Sequence, residues 1–235
     1  MKKELIYEGK AKKIYKTETD DVYLQEFKDD ATAFNGLKKD KILNKGKFNN
    51  GISSAIFNHL KQYDIPTHFL EILSDTEMLV KKVDIIKIEV VCRNISAGSL
   101  VKKFGFTEGK EFENPIVEYY LKSDELGDPL FNEEHIYAMG LADKFDLDTI
   151  KKMTLAINVI LKKYFIERNL KLVDFKLEYG KDNFGNIILA DEISPDTCRL
   201  WDSETNKKLD KDRFRFDLGG VEEAYQEVSN RLKIN

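Results

Sequence analysis

Residues 172–180 read LVDFKLEYG. Val173, Phe175 and Leu177 alternate there with Asp174, Lys176 and Glu178. Successive strand side chains point to opposite faces, so this stretch predicts a strand with one apolar and one charged face. Such a strand ties a charged site to a packed core. After a turn across residues 180–185, residues 187–193 form a second strand candidate carrying Asp191 and Glu192. If the two pair as a hairpin, Glu178 approaches Asp191, and two hard carboxylates with open positions suit Mg²⁺ that keeps water and phosphate ligands. Lys176 reduces the repulsion between Asp174 and Glu178. Ion pairing among the same groups is the competing reading.

Outward from this strand the pattern divides in two. Residues 5–7, 12–16 and 22–27 read as short strands, and 68–73 with 78–83 as a hairpin around Ser74, Asp75 and Thr76. Phe48, Ile52, Ala55, Ile56 and Leu60 recur at helical spacing before Pro66, predicting a helix whose apolar stripe covers one face of that sheet. Beyond residue 84, residues 86–93 predict a strand, and residues 149–168 a helix with Ile150, Met153, Ile157, Ile160, Leu161 and Tyr164 on one face. Val221, Ala224, Tyr225, Val228 and Leu232 mark a closing helix after Gly219 and Gly220. The expectation is an α/β (α+β) protein in two lobes: residues 1–84 β-rich, residues 85–235 larger and α/β, with a cleft between them.

Composition narrows the class. In 235 residues, 42% hydrophobic content is enough for a core, and 34% charged residues leave a net charge of only −4, which favours neither a nucleic-acid partner nor an acidic disordered tail. No run approaches the roughly 18 apolar residues that span a bilayer, and the N-terminus lacks a signal-peptide core, so a cytoplasmic protein without membrane contact is expected. Cys92 and Cys198 are too few for a disulfide framework, and His59, His68 and His135 have no metal spacing.

Three further segments read as parts of one site. EGKAK at 8–12 follows a short strand with a glycine and two lysines at i and i+2, a pair able to neutralise a polyphosphate or simply a solvated face at a turn; the GxxxxGK[ST] spacing is absent. EVVCRNISAGSL at 89–100 places Glu89, Val91 and Arg93 on one strand face, then Ser96, Gly98 and Ser99 where the chain turns into a helix. This is either an anion cradle or an ordinary cap with an exposed arginine. SPDTCRLWD at 194–202 ends a strand in a turn and leaves Arg199 near the same edge.

EGKAK, FNNGIS, EVVCRNISAGSL, LVDFKLEYG and DEISPDTCRLWD, in this order and across essentially the whole chain, resemble the phosphoribosylaminoimidazole-succinocarboxamide synthase, or SAICAR synthetase, family. The resemblance implies a two-lobed fold related to the protein kinase and ATP-grasp group. It also implies an ATP-dependent ligase of purine biosynthesis that joins L-aspartate to carboxyaminoimidazole ribonucleotide (CAIR), releasing ADP and phosphate, and a homodimer. Gly9, Lys10, Ala11 and Lys12 would cover the ATP phosphates with Lys122 as a further contact, Ile14 and Ile85 would touch the adenine, and Glu178 and Asp191 would hold Mg²⁺. Arg93, Ser99 and Arg199 would bind the phosphate of CAIR with Lys176 nearby, Arg215 is a further substrate-binding position, and Glu89, Asp128 and Asp174 match an acidic set associated with a metal at the substrate carboxylate. Lys10, Lys12, Asp174 and Lys176 are the residues expected at the chemistry. Asn35, beside Gly36 in ATAFNG, stands where some members have an aspartate that helps hold CAIR; an amide can still hydrogen-bond a ribose hydroxyl. A kinase-like phosphotransferase and a non-catalytic nucleotide sensor are the alternatives. No HRD or DFG sequence of the protein-kinase type is present, and a sensor needs no second anion site.

Overall fold

The computed structural model describes residues 4–33 and 36–234. Its first sheet orders β1 (Leu5–Glu8), β2 (Lys12–Lys16), β3 (Val22–Phe27), β7 (Glu77–Lys81) and β6 (Phe69–Ile72) side by side, all antiparallel. β4 (Asp30–Ala33) and β5 (Lys38–Lys41) form a separate ribbon. The second sheet runs β10 (Leu130–Phe131), β9 (Glu111–Leu121), β8 (Asp84–Ile95), β11 (Leu170–Lys181) and β12 (Ile187–Ala190), with β13 (Cys198–Asp202) also paired to β11. The result is a two-lobed α+β fold.

The stretch at 172–180 lies inside β11, the central strand of the second sheet. β8 pairs along one edge, while β13 takes the N-terminal half and β12 the C-terminal half of the other. Phe175 and Leu177 are fully buried in the main core, as the alternation predicts. Val173 departs from it. The pairing with β13 shifts register between Leu172 and Asp174, and Val173 packs instead with Ile95, Ala97 and Trp201. A bulge re-aims side chains locally, and this one stands immediately before Asp174.

Helix α4 (Lys144–Ile166) covers the apolar face of β11 with Ile150, Ile157, Leu161 and Phe165. It begins five residues before the periodicity suggests, because Asp143 caps it by accepting from the Asp146 N–H at 2.8 Å. Helix α1 (Lys45–Lys61) also differs from expectation. Its stripe of Phe48, Ile52, Ile56, Phe57 and Leu60 joins the main core with Ile193 and with Tyr225 and Val228 of α6 (Val221–Arg231), so it links the two sheets rather than only covering the first. Helices α2 (Ser99–Phe104), α3 (Glu133–Ala138) and α5 (Asp212–Arg215) are short. No helix among the described residues is long and apolar enough to cross a membrane.

Candidate active site

The charged face of β11 forms the floor of a cavity of about 550 Å³ whose walls come from the β1–β2 turn, β8, the segment after β12, β13 and α5. Two clusters share this floor. At the first, one oxygen of Asp174 accepts from Arg93 Nη1 and from Arg199 Nη1, both at 2.9 Å. Arg93 also donates to Glu118 at 2.5 Å, to Ser99 Oγ at 2.8 Å and to the Tyr120 hydroxyl at 3.1 Å. Arg199 reaches Asp212 through Nε at 2.8 Å. Burial alone would lower the pKa of either guanidinium, but the carboxylates outweigh it. Backbone geometry makes room: Gly98 adopts φ +57°, and a Cβ there would stand 2.5 Å from Arg199 Nη2.

The second cluster lies four residues along β11, two pleats away on the same face. Glu178 accepts from Lys122 and from Lys176, each at 2.5 Å; Lys176 also contacts Glu89 at 2.9 Å and Asp191 at 3.8 Å. Lys12 pairs with Asp191 and lies 3.0 Å from Glu192. Burial would push the Lys12 ammonium down, yet Asp191, Glu192 and Glu178 hold it above the ordinary lysine value. Burial likewise opposes ionisation of Asp191, and Lys12, Lys176 and Lys122 hold that carboxyl well below its usual range. Asp191 adopts φ +61° directly after β12, a left-handed turn that aspartate tolerates and that swings the chain back toward Lys12.

The predicted residues are mostly gathered here. Gly9, Lys10, Ala11, Lys12, Gly36, Glu89, Arg93, Lys122, Asp128, Asp174, Lys176, Glu178, Asp191, Arg199 and Arg215 all line the cavity. Ser99 reaches it through Arg93. The two lysines of EGKAK part company: Lys12 is in the interior, whereas Lys10 meets Asp124 at 2.6 Å at the exposed rim. Ile14 and Ile85 do not line the cavity, Ile85 being 40% exposed near one end of β8. Asn35 lies outside the described residues.

Glu178 and Asp191 suit a divalent cation in donor type and position, since both reach one cationic group, Lys176, inside the cavity. Glu89, Asp128 and Asp174 line the same cavity, each with a partner of its own. Glu89 is bound to Lys176, Asp174 to two arginines, and Asp128 accepts the Ser123 N–H at 2.9 Å. No three His, Cys, Asp or Glu side chains among the described residues are grouped to hold a metal ion.

Two buried anion-and-cation clusters side by side on one strand are what a transfer between two anionic substrates needs, and the match is specific. The SAICAR synthetase family model covers residues 5–232. The chain belongs to the SAICAR synthetase family. A phosphoribosylaminoimidazole-succinocarboxamide synthase from Prosthecochloris aestuarii is 58% identical over 97% of both chains. The crystal structure of the enzyme of that name from Ehrlichia chaffeensis superposes with a TM-score of 0.97 at 49% identity, over 99% of both chains. A SAICAR synthetase in complex with ADP superposes at 0.94 with 48% identity, over 96% of both chains.

Several side chains of this SAICAR synthetase family member escaped the sequence. Glu118 and Tyr120 hold Arg93 from β9, a strand whose Pro115 and four charged or polar residues hide its period; the alternation of Glu118 with Tyr120 was the available signal. Asp212 holds Arg199 and Arg215, and the i, i+3 pair of Asp212 and Arg215 was legible in KDRFR. Asp196 and Lys211 line the cavity as well. Asp196 reads as a turn residue, and nothing near Lys211 in sequence marks it.

Proposed function

We propose that this chain is the ATP-dependent ligase that joins L-aspartate to the carboxylate of CAIR, giving SAICAR, ADP and phosphate in purine biosynthesis. One observation carries this reading: Asp174, with its two arginines, and Glu178, with its two lysines, stand on one face of β11 in one cavity. A donor and an acceptor, both anionic, can be held there four residues apart. The family match and the ADP-bound relative support the same assignment.

Gly9, Lys10, Ala11, Lys12 and Lys122 are assigned to the ATP phosphates, and Ile14 and Ile85 to the adenine beyond the cavity lining. Glu178 and Asp191 would hold Mg²⁺, which supplies charge neutralisation to the phosphoryl oxygens. Arg93, Ser99 and Arg199 are assigned to the CAIR phosphate, with Lys176, Gly36 and Asn35 beside that substrate. Glu89, Asp128 and Asp174 would be the acidic set at a metal beside the substrate carboxylate, and no step is routed through that metal.

A carboxylate is a poor electrophile. In the proposed sequence a carboxylate oxygen of CAIR bonds to the γ-phosphorus as the bond to ADP breaks, forming an acyl phosphate. The aspartate nitrogen, as its free base, then attacks the carbonyl carbon and phosphate leaves. Lys12 and Lys176 counter the charge on the transferring group, and the rigid strand beneath sets the approach of the two anions. The proposed setting is the cytoplasm, with residues 1–84 and 85–235 as the two lobes and the protein as a homodimer, the state the resemblance implies; sedimentation velocity would then report two chains per particle.

The test is turnover with each substrate omitted in turn. Sustained ADP release is expected only with CAIR and aspartate together, accompanied by the aspartate adduct. Equal ADP release without aspartate would favour a phosphotransferase instead.

A further inference from the structure

Behind the clamp at Asp174 stands a carboxylate that does not line the cavity. Asp210 is fully buried. It follows Leu209, whose N–H bonds the Leu200 carbonyl at 2.8 Å, so the chain runs back along β13 before entering α5. One oxygen of Asp210 accepts the Leu200 N–H at 2.9 Å and the other accepts the Asp212 N–H at 2.8 Å. The Leu200 N–H belongs to the peptide that joins it to Arg199, so a single carboxylate fixes the backbone at both ends of the Arg199–Asp212 ion pair. That pair is two-pronged, Nε reaching one Asp212 oxygen at 2.8 Å and Nη2 the other at 3.3 Å. A fork against a fork tolerates little displacement of either backbone.

The two arginines of the clamp are supported differently. Arg93 is held by Glu118 and Tyr120 on β9, a strand hydrogen-bonded to β8 along the ladder that also carries Arg93. Asp212 sits at the start of the four-residue helix α5, where no ladder fixes it. Asp210 supplies the missing constraint, and at a cost: burial opposes its ionisation and the neighbouring Asp212 pushes its pKa up further, while the Asp212 N–H, Arg199 and Arg215 offset only part of that rise. A turn onto the Asp212 N–H alone would be made as well by an asparagine, with no charge to bury. Asparagine has one acceptor oxygen, however, and would turn its NH2 group toward the second amide. Meeting Leu200 and Asp212 together takes a side chain with two acceptors.

We propose that Asp210 is a positioning residue for the nucleotide substrate's phosphate: by holding Leu200 and Asp212 together, it aims Arg199 at the point that Arg199 shares with Arg93. The inference rests on the ligase reading, which assigns Arg199 to CAIR, and adds to it the group that sets the direction of that guanidinium.

The test is a double-mutant cycle with Asp210→Asn and Arg199→Ala, reading kcat and KM for each substrate and kcat/KM for CAIR. Asp210→Asn alone should raise the CAIR KM about 10-fold, the scale of one hydrogen bond lost with its partner left buried. The kcat and the KM values for ATP and aspartate should stay within about twofold. In the Arg199→Ala background the same substitution should change kcat/KM for CAIR by less than about twofold, because the guanidinium it aims is gone. A merely structural role would give the same loss in both backgrounds, or a loss spread over all three substrates; either result would overturn the assignment, as would Asp210→Asn kinetics equal to the parent. If Asp210→Asn does not fold, Asp210→Ser, whose hydroxyl accepts from one amide without opposing the other, carries the same comparison. Failure of the unaltered enzyme to form the aspartate adduct would instead overturn the ligase reading itself.

Discussion

Arg93 and Arg199 converge on a single oxygen of Asp174, each through Nη1 at 2.9 Å. Two guanidinium groups directed at one point by separate strands, and held from behind by Glu118 and Asp212, form a preorganised clamp for a planar or tetrahedral anion. The account assigns that clamp to the phosphate of the nucleotide substrate, which would share it with Asp174.

Arg199→Ala should therefore weaken CAIR binding by about 2 to 5 kcal/mol while leaving ATP affinity nearly unchanged. Isothermal titration with each ligand separates the two. Equal losses would reassign Arg199 to a structural role.

Gly98→Ala probes the same clamp from the backbone. The added Cβ would fall 2.5 Å from Arg199 Nη2 at a residue with φ +57°, so either the guanidinium moves or the turn does. A displaced clamp should lower kcat/KM for CAIR by about 10- to 100-fold, the scale of an ångström-sized misplacement. Steady-state kinetics with saturating ATP and aspartate reads this directly, and kinetics equal to the parent enzyme would show that the close approach is not needed.

Glu178→Gln and Asp191→Asn remove the charges proposed to hold Mg²⁺ and to balance Lys12, Lys122 and Lys176. Each should cut kcat by roughly 100-fold or more, as for loss of one preorganised electrostatic element. A fully active Asp191→Asn enzyme would remove that residue from the metal site.

Both thiols should be inert in the folded protein. Burial pushes Cys92 up to about 12 and Cys198 higher still, so almost no thiolate exists near neutral pH. A thiol-specific reagent at pH 8 should label neither cysteine until denaturant is added; rapid native labelling of either would contradict the burial.

His68 supplies a pH dependence. Burial, aided by Lys12 and opposed by Asp191, lowers its pKa to about 4, whereas an unfolded histidine titrates near 6.5. Between these values the unfolded chain binds more protons, so stability falls as pH drops from about 6.5 to 4, by about 3 kcal/mol from this residue. Urea unfolding of the parent and of His68→Leu at pH 4.5 and 7 should show a smaller pH difference in the variant, and equal differences would contradict the assignment.

The sequence made much of this site legible because strand alternation reports which side chains share a face. Asp174, Lys176 and Glu178 line one cavity as their spacing implied, and Glu178 and Asp191 meet around Lys176. What escaped depends on contacts between segments distant in the chain. Glu118 lies on a strand whose polar composition masks its period, the bulge at Val173 has no local sequence marker, and the weak pairing of Lys211 follows only from Asp196 being occupied by Lys45 and Tyr225. In the ribbon, β4 (DATA) does alternate but over only four residues, and its partner β5 (KKDK) has no apolar residue to mark a buried face.

The central claim is that β11 holds a phosphoryl donor and a carboxylate acceptor at once. Multiple-turnover ADP release, followed together with product mass in the presence of ATP, Mg²⁺, CAIR and L-aspartate, tests it most directly. The account predicts one ADP and one phosphate per aspartate adduct formed, with sustained turnover lost when either CAIR or aspartate is left out. Sustained ADP release at the same rate without aspartate, or without CAIR, would contradict it.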